Sequence, residues 1–296
     1  MAEDQDQWAR WVLRQRDFND ALRQNGAVAP LDAFRDGVLE RAAVAAGDVL
    51  LDVGCGAGLI GFAALDLVGA GGQVVFSDVS ADLLDACRRR AAEDGVLDRC
   101  RFIQASAEDL RSIDDASVDV VTTRSVLIYV RDKATAFAEF FRVLRPGGRL
   151  SIFEPINGFW SEHETSNGML GLDMTPVADL AAKVRDVYLS VPADQDPMRD
   201  FDERDLLRYA RAAGFTAVTM DFRAEIDAPR PPLANDWDTL KTTAPNPLAL
   251  TYEQALAQAL TAEERERFEG HVRTALAAGT PGRTTMATTF LRAVRP

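Results

Sequence analysis

The sequence predicts an α/β fold in which a mainly parallel sheet is covered on both faces by helices. Three observations carry that prediction. From Val49 onward, short apolar runs alternate with amphipathic helical patterns, the order expected of successive βα units. The first run passes directly into a glycine-rich turn, LLDVGCGAGLI, residues 50–60. The second run, QVVFSD, residues 73–78, closes on an acid. In an open α/β sheet such strand ends are where ligands sit.

The elements follow in chain order. Trp8, Trp11, Val12, Phe18 and Leu22 fall at helical spacing over residues 7–24. Asp32 reads as the N-cap of a helix with Phe34, Val38, Leu39 and Ala42 on one face. Strands are expected at Val49–Val53, Gln73–Ser77, Cys100–Gln104, Val118–Thr122 and Arg149–Phe153. The helices between them are Gly58–Val68, Ala81–Asp94 and Lys133–Leu144. Pro146 with Gly147 and Gly148 ends the last of these. Residues 155–200 are mostly irregular, with one helix capped by Thr175 and with Pro176 at its first position. A helix Asp202–Ala213, ended by Gly214, and a strand Thr216–Phe222 restore the sheet-like order. Residues 227–250 read as a proline-rich loop. Thr251 with Gln254, and Thr261 with Glu264, open two helices by capping boxes, the second ending near Gly279. A final strand is expected at Thr284–Ala293.

Composition narrows the function. The chain has 296 residues, 47% of them hydrophobic, and a formal net charge of -13. That charge is a poor match for a phosphate backbone, so no nucleic-acid partner is expected. Cys55, Cys87 and Cys100 are odd in number and lack Cys-x-x-Cys spacing, and only His163 and His271 are available, so no metal site and no disulfide framework are expected. The sequence MAEDQDQWARW has no signal-peptide pattern and no apolar run is long enough to span a bilayer, which makes a cytoplasmic protein without a membrane partner the expectation.

The turn itself discriminates among ligands. Gly54 permits a tight turn, Gly56 lets a ligand approach the backbone, and Gly58 lets the helix start close to the strand. A dinucleotide fingerprint would need glycine at 59, where Leu59 stands. Asp78 can accept hydrogen bonds from a pair of ribose hydroxyls, while Ser80 is the better N-cap for the helix that follows.

Four segments in order, LLDVGCGAG, VVFSDVS, FIQASAEDL and VLRPGGRLSIFEP, resemble those of the class I S-adenosylmethionine-dependent methyltransferases. The resemblance is strong over residues 35–155 and weaker over 202–222 and 284–293. It implies a Rossmann-like, doubly wound, seven-stranded and mostly parallel sheet whose last strand is antiparallel, with helical cap insertions. Residues 1–45 would be an N-terminal helical lid, 46–155 the cofactor-binding core, 156–200 a cap insertion, 201–226 a continuation of the core, 227–282 a second cap insertion and 283–296 the last core strand; for the Trp8 and Trp11 helix, packing on the sheet and a dimer contact are the alternatives to a lid.

By that resemblance, Asp52, Gly54, Gly56 and Gly58 wrap the methionine part of S-adenosylmethionine, Asp78 binds its ribose, and Val79 lies against adenine. Ala107 and Glu108 match the segment at the adenine edge. Ser106 stands where many relatives have Asp. Arg124 stands where the family usually offers neutral groups, and could pair with the cofactor carboxylate or with an acidic substrate. The implied chemistry is direct displacement of the sulfonium methyl, leaving S-adenosylhomocysteine, with positioning in a dry site supplying much of the acceleration. Candidate catalytic residues are His163 just past the fifth strand, Tyr129 after the fourth and Glu154 at the end of the fifth.

Absences sharpen the acceptor. TTRSVLIY after strand four is not an Asn-Pro-Pro-Tyr-type motif, no Pro-Cys pair suggests cytosine methylation, and no acidic cluster suggests a metal-dependent catechol enzyme. A small hydrophobic or aromatic metabolite is therefore the expected acceptor, and Phe159, Trp160, Met169, Leu170, Met174, Tyr188, Trp237 and Tyr252 of the two insertions read either as the lining of its pocket or as the cap's own core. The alternatives are a non-methylating use of the fold, as a cyclase or ligand-binding protein, and methylation of protein or RNA. A homodimer is left open.

Overall fold

The computed structural model describes residues 5–13, 31–163, 168–230, 232–233, 236–279 and 281–296. Phe18 and Leu22 of the expected first helix lie outside them, while residues 7–13 are helical. The chain continues through α1 (Leu31–Ala42), β1 (Val49–Val53), α2 (Leu59–Val68), β2 (Gln73–Asp78), α3 (Ala81–Glu93), β3 (Cys100–Gln104), β4 (Val118–Arg124), α4 (Lys133–Val143) and β5 (Leu144–Pro155). These elements form the doubly wound half. Seven strands make one sheet.

Alternation within the strands explains the two-faced core. Leu50, Val74 and Val120 turn to the face covered by α1, α2 and α3. Their immediate neighbours Leu51, Val75 and Val121 turn to the opposite face, under Phe137 and Phe140 of α4. Strands buried on both sides need apolar residues at consecutive positions, and that is why they were readable as short continuous runs.

The second half begins with α5 (Asn157–His163), a hairpin of β6 (Gly168–Met169) and β7 (Leu172–Asp173), and α6 (Ala178–Tyr188). Next come α7 (Glu203–Ala213), β8 (Thr216–Arg230), α8 (Trp237–Leu240), α9 (Tyr252–Ala259), α10 (Ala262–Ala278) and β9 (Gly282–Val294). The sheet order is β3-β2-β1-β4-β5-β9-β8. β9 is antiparallel to both β5 and β8, as expected of the last strand. The capping boxes at Thr251 and Thr261 and the left-handed Gly214 and Gly279 form as expected.

Several boundaries differ from the sequence reading. α1 already begins at Leu31, so Asp32 sits in its first turn, paired with Arg35, rather than at its N-cap. β8 does not end at Phe222 but runs on to Arg230, paired with β9 as far as Gly282, so the first part of the expected proline-rich loop is strand. A register shift between Glu225 and Ala228 breaks the alternation that would have revealed it. β5 begins at Leu144, and the residues up to Gly148 bulge out between the pairs Val118–Leu144 and Val120–Arg149. Thr175 does not cap its helix: its N–H and hydroxyl both donate to Asp173, at 2.9 and 2.6 Å, and a single 3₁₀ turn precedes α6.

Both insertions share a second hydrophobic core, joined to the sheet by the long β8–β9 ribbon. Trp237 and Met174 are 1% and 0% exposed, and with Leu172, Leu180, Leu256, Phe268 and Val272 they fill this core. Several residues expected to line an acceptor pocket are therefore the interior of the cap; an apolar residue in a small layer is consumed by folding it. Phe159 packs on the main core instead.

Lys133 ties the segment leaving the cap to the sheet. It is 2% exposed, and its ammonium donates to the carbonyls of Val130 and Pro197 at 2.9 and 3.0 Å and to Asp200 at 2.6 Å, 4.6 Å from the Phe201 ring centre. Removing the cation leaves buried acceptors without a donor. Lys133→Ala should lower the unfolding free energy by about 3 kcal/mol in denaturant titrations; a change below about 1 kcal/mol would mean that the contact carries little of the stability.

Candidate active site

The carboxyl ends of β1, β2, β4 and β5 lie at the same end of the sheet, and β1, β2 and β5 each carry there a buried acid, Asp52, Asp78 or Glu154, bonded to backbone N–H groups of neighbouring segments. Asp52, in β1, is 2% exposed. It accepts from the Gly61 N–H at 3.0 Å and from the Thr122 hydroxyl at 3.1 Å, so it holds α2 and β4 together beneath the glycine turn. Burial pushes its carboxyl up to about 7.

The turn needs its glycines. Gly54, Gly56 and Gly58 all have left-handed φ, of 66°, 54° and 80°. A Cβ at Gly54 would also sit 2.3 Å from Val126, so the turn after β1 lies against the loop after β4. The Gly56 N–H is not spare: it donates to Asp78 at 2.8 Å.

Asp78, 6% exposed, bridges two turns. One oxygen takes the Gly56 N–H and the other takes the Ser80 N–H at 2.9 Å. Burial raises its pKa, against those two hydrogen bonds, which favour the anion. Ser80 caps α3 through the Leu83 N–H at 3.1 Å, so Asp78 is not used as the helix cap. Beside it Val79 is 45% exposed, an apolar side chain left open at a strand end. Gln104 anchors the Val79 carbonyl at 3.0 Å. Val79, Gln104 and Asp82 form one wall of a pocket whose other wall is Gln5, Asp6 and Trp8.

The remaining candidates divide into those near this pocket and those holding loops. Ser106 is half-buried, in a tight turn closed by the Asp109 N–H on its carbonyl at 3.1 Å, and Ala107 is buried. Glu108 accepts the Asp132 N–H at 2.7 Å, which commits one oxygen to the loop before α4. Arg124 ends β4; its charge favours ionisation of Asp52, Glu154 and Tyr129, which places it among them.

Glu154 is fully buried. It accepts the N–H groups of Val126 and Leu127, each at 2.9 Å, and of Ile128 at 3.4 Å. These three donors open the 3₁₀ turn Leu127–Tyr129, so the carboxylate fixes the loop that carries Tyr129. Burial pushes Glu154 up to about 7. Tyr129 has its ring edge-on to Trp8 with centres 5.0 Å apart, and burial together with Glu154 holds its phenol well above the usual range. It is a neutral hydroxyl across the physiological range, a donor rather than a base. His163 is exposed at the end of α5, with its ring 4.3 Å from Phe159, which packs in turn on Phe222 of the outermost strand.

Two contributors were not legible in the sequence. Gln104 closes an ordinary strand, and Asp6 lies among polar residues without periodicity. Among the described residues, no group of three or more His, Cys, Asp or Glu could hold a metal ion, and no helix is long and apolar enough to cross a membrane. Cys55, Cys87 and Cys100 are free thiols.

Comparison with known proteins places this geometry. The ubiquinone/menaquinone biosynthesis C-methyltransferase UbiE of Marinomonas sp. (strain MWYL1) is 37% identical over 116 residues, 39% of this chain and 46% of that protein, so the match spans less than half of the relative. Among solved structures, geranyl diphosphate C-methyltransferase from Streptomyces coelicolor A3(2) aligns over 90% of this chain and 76% of its own, with a TM-score of 0.51 and 18% identity. The [4+2]-cyclase SpnF aligns over 90% and 81%, with a TM-score of 0.51 and 21% identity. At such identities the structures show a shared fold, and that fold serves both a methyltransferase and a cyclase. The model of the ubiE/COQ5 methyltransferase family matches residues 28–224, from before α1 into β8, and the chain belongs to that family, among the class I S-adenosylmethionine-dependent methyltransferases.

Proposed function

We propose that this chain transfers a methyl group from S-adenosylmethionine to a carbon atom of a small, electron-rich aromatic acceptor bearing an apolar substituent. The observation that carries the reading is Asp78, a carboxylate locked to Gly56 and Ser80 beside the open side chain of Val79. An acid for ribose hydroxyls next to an apolar face for a base is the donor set an adenosine group needs. The family match supports the carbon acceptor, since the UbiE relatives are C-methyltransferases of quinone biosynthesis. The net charge of -13 weighs against RNA.

When bound, S-adenosylmethionine supplies an electrophilic methyl on a sulfonium, which an in-line nucleophile takes as the thioether departs. The chain's own part is positional. Asp78, Gly56 and Val79 hold the nucleoside, with Ser106 and Ala107 at its edge. Asp52 and Gly54 shape the turn around the amino-acid end, and Arg124 supplies a positive charge there. Glu154 acts through the loop it fixes, as a positioning residue, and Tyr129 offers its hydroxyl to an acceptor oxygen as a hydrogen-bond donor. For a phenolic ring, carbon attack forms the C–CH₃ bond and a ring proton then leaves to solvent or to a base. His163, exposed and turned toward Phe159, is a weaker candidate for that base than its place in the sequence suggested.

The direct test is incubation with methyl-labelled S-adenosylmethionine and a demethylated hydroquinone carrying a short isoprenoid tail. The expected product carries one new methyl on a ring carbon, located by NMR. Label on oxygen would overturn the carbon assignment. Absence of transfer by a protein that binds S-adenosylhomocysteine would remove this acceptor class.

Glu154 gives a second test. Its folded pKa of about 7 lies above the unfolded value near 4.3, so the native state holds the proton more tightly. The stabilisation this provides is full below the unfolded pKa and is lost as pH rises through 7. Glu154→Gln removes that dependence while retaining an acceptor oxygen. Denaturant titrations at pH 5 and pH 8 should show the variant gaining on wild type at the higher pH; a difference in stability that does not change with pH would mean that Glu154 is ionised throughout.

A further inference from the structure

The two edges of the sheet are built differently. β3 is five residues long, and the Arg88 guanidinium lies over its Phe102 ring at 5.1 Å. β8, the other edge, is fifteen residues long. A long free edge offers unpaired backbone N–H and C=O groups to another strand, and proteins commonly blunt it with bulges, prolines or charges. In β8 the register shifts fall near the ends, between Thr216 and Thr219 and between Glu225 and Ala228, while Thr219–Glu225 pairs with β9 without interruption. The Asp221 carbonyl accepts the Thr289 hydroxyl of β9 at 3.4 Å, so it points inward. Successive residues of a strand turn their backbone groups to opposite sides, which leaves those of Met220, Phe222 and Ala224 facing outward.

The two faces of this stretch differ in chemistry. Val218, Met220, Phe222, Ala224 and Ile226 share one face; Thr219, Asp221, Arg223 and Glu225 share the other. Val218 and Met220 rest on the main core, but Phe222 and Ile226 are 40% and 58% exposed. On the polar face Asp221 pairs with Arg41 at 2.7 Å, and Arg223 folds back on Glu225 at 2.6 Å. The side chains of Asp221 and Arg223 are largely open to solvent.

The order of these residues is self-complementary. A second β8 laid antiparallel about a twofold axis at Phe222 sets Phe222 opposite its own copy, Met220 opposite the partner's Ala224 and Val218 opposite the partner's Ile226. On the other face Asp221 opposes the partner's Arg223, and Thr219 the partner's Glu225. Neighbouring registers lose this match. A slip of one residue sets each apolar side chain opposite a polar one. An axis at Asp221 or at Arg223 brings like charges together on it. An axis at Met220 or at Ala224 carries the partner across one of the two register shifts. Phe222 is the midpoint of the uninterrupted stretch, so an axis there keeps both copies within it.

We propose that β8 pairs with β8 of a second copy of this chain about a twofold axis at Phe222, joining two seven-stranded sheets into one. The contact is isologous, the same strand serving both copies. Backbone hydrogen bonds close the edge, the apolar face buries Phe222 and Ile226, and the Asp221–Arg223 pairs fix the register. The occupant is a second copy of this chain because the pattern of charge and apolar side chains reads the same from both sides of the axis.

The test uses the full chain. Sedimentation velocity should show a species of twice the 32.3 kDa chain mass. Asp221→Arg sets guanidinium against guanidinium on both sides of the axis, and Arg223→Asp sets carboxylate against carboxylate. Each should weaken self-association at least about tenfold. Both positions are exposed, so circular dichroism should show each variant folded. Mixed in equal amounts, the two variants should recover a dimer containing one of each, because every charged position then faces its opposite; native mass spectrometry identifies that species. A wild-type chain that stays monomeric up to about 100 μM would overturn the proposal. So would a wild-type dimer that both variants leave intact, or two dissociated variants whose mixture stays monomeric.

Discussion

The site depends on one buried carboxylate, Asp78, shared between the N–H groups of Gly56 and Ser80. That pair of hydrogen bonds fixes the glycine turn after β1 relative to the cap of the helix after β2. The same device recurs along the sheet. Asp52 joins β4 to α2, and Glu154 joins β5 to the loop after β4. Each acid is largely or wholly out of water, which is costly, and each recovers much of that cost by accepting backbone or hydroxyl donors. Ligand-bearing loops lack the ladder bonds that stiffen strands. Here buried side-chain acceptors stand in for them.

The core and the glycine turn after β1 were legible because their signals are local. Consecutive apolar residues such as Leu50 and Leu51 must serve opposite faces, and Gly54 and Gly56 announce a backbone no other residue adopts easily. Asp78 was readable because Ser80, two residues on, is a better cap. What was hidden depends on contacts distant in sequence. Nothing near Glu154 reveals that three N–H groups at 126–128 converge on it, so its burial came only from the folded chain. Asp6 meets Ser80 across 74 residues without any periodicity to mark it. The far half of β8 was obscured by its own register shift, and the role of Trp237 by ambiguity: an aromatic residue in an insertion reads alike as pocket wall or as cap interior.

The cap therefore has two parts with different work. Its interior, around Trp237, Phe268 and Met174, is spent on folding. Its carbonyl at Ala244 is where the N-terminal helix is tied down. The Trp11–Ala244 hydrogen bond thus joins residues 5–13 to the second insertion, while Lys133 and Asp200 fasten the chain on its way back to the sheet.

The most direct measurement is calorimetric titration of S-adenosylhomocysteine and, separately, NADH into wild type and Asp78→Ala. Wild type should bind the sulfur compound and not the dinucleotide. The variant, still folded by circular dichroism, should bind it at least tenfold more weakly, about 1.4 kcal/mol. Equal affinity in a folded Asp78→Ala protein would contradict the assignment of that carboxylate as the ligand-ordering group of this site.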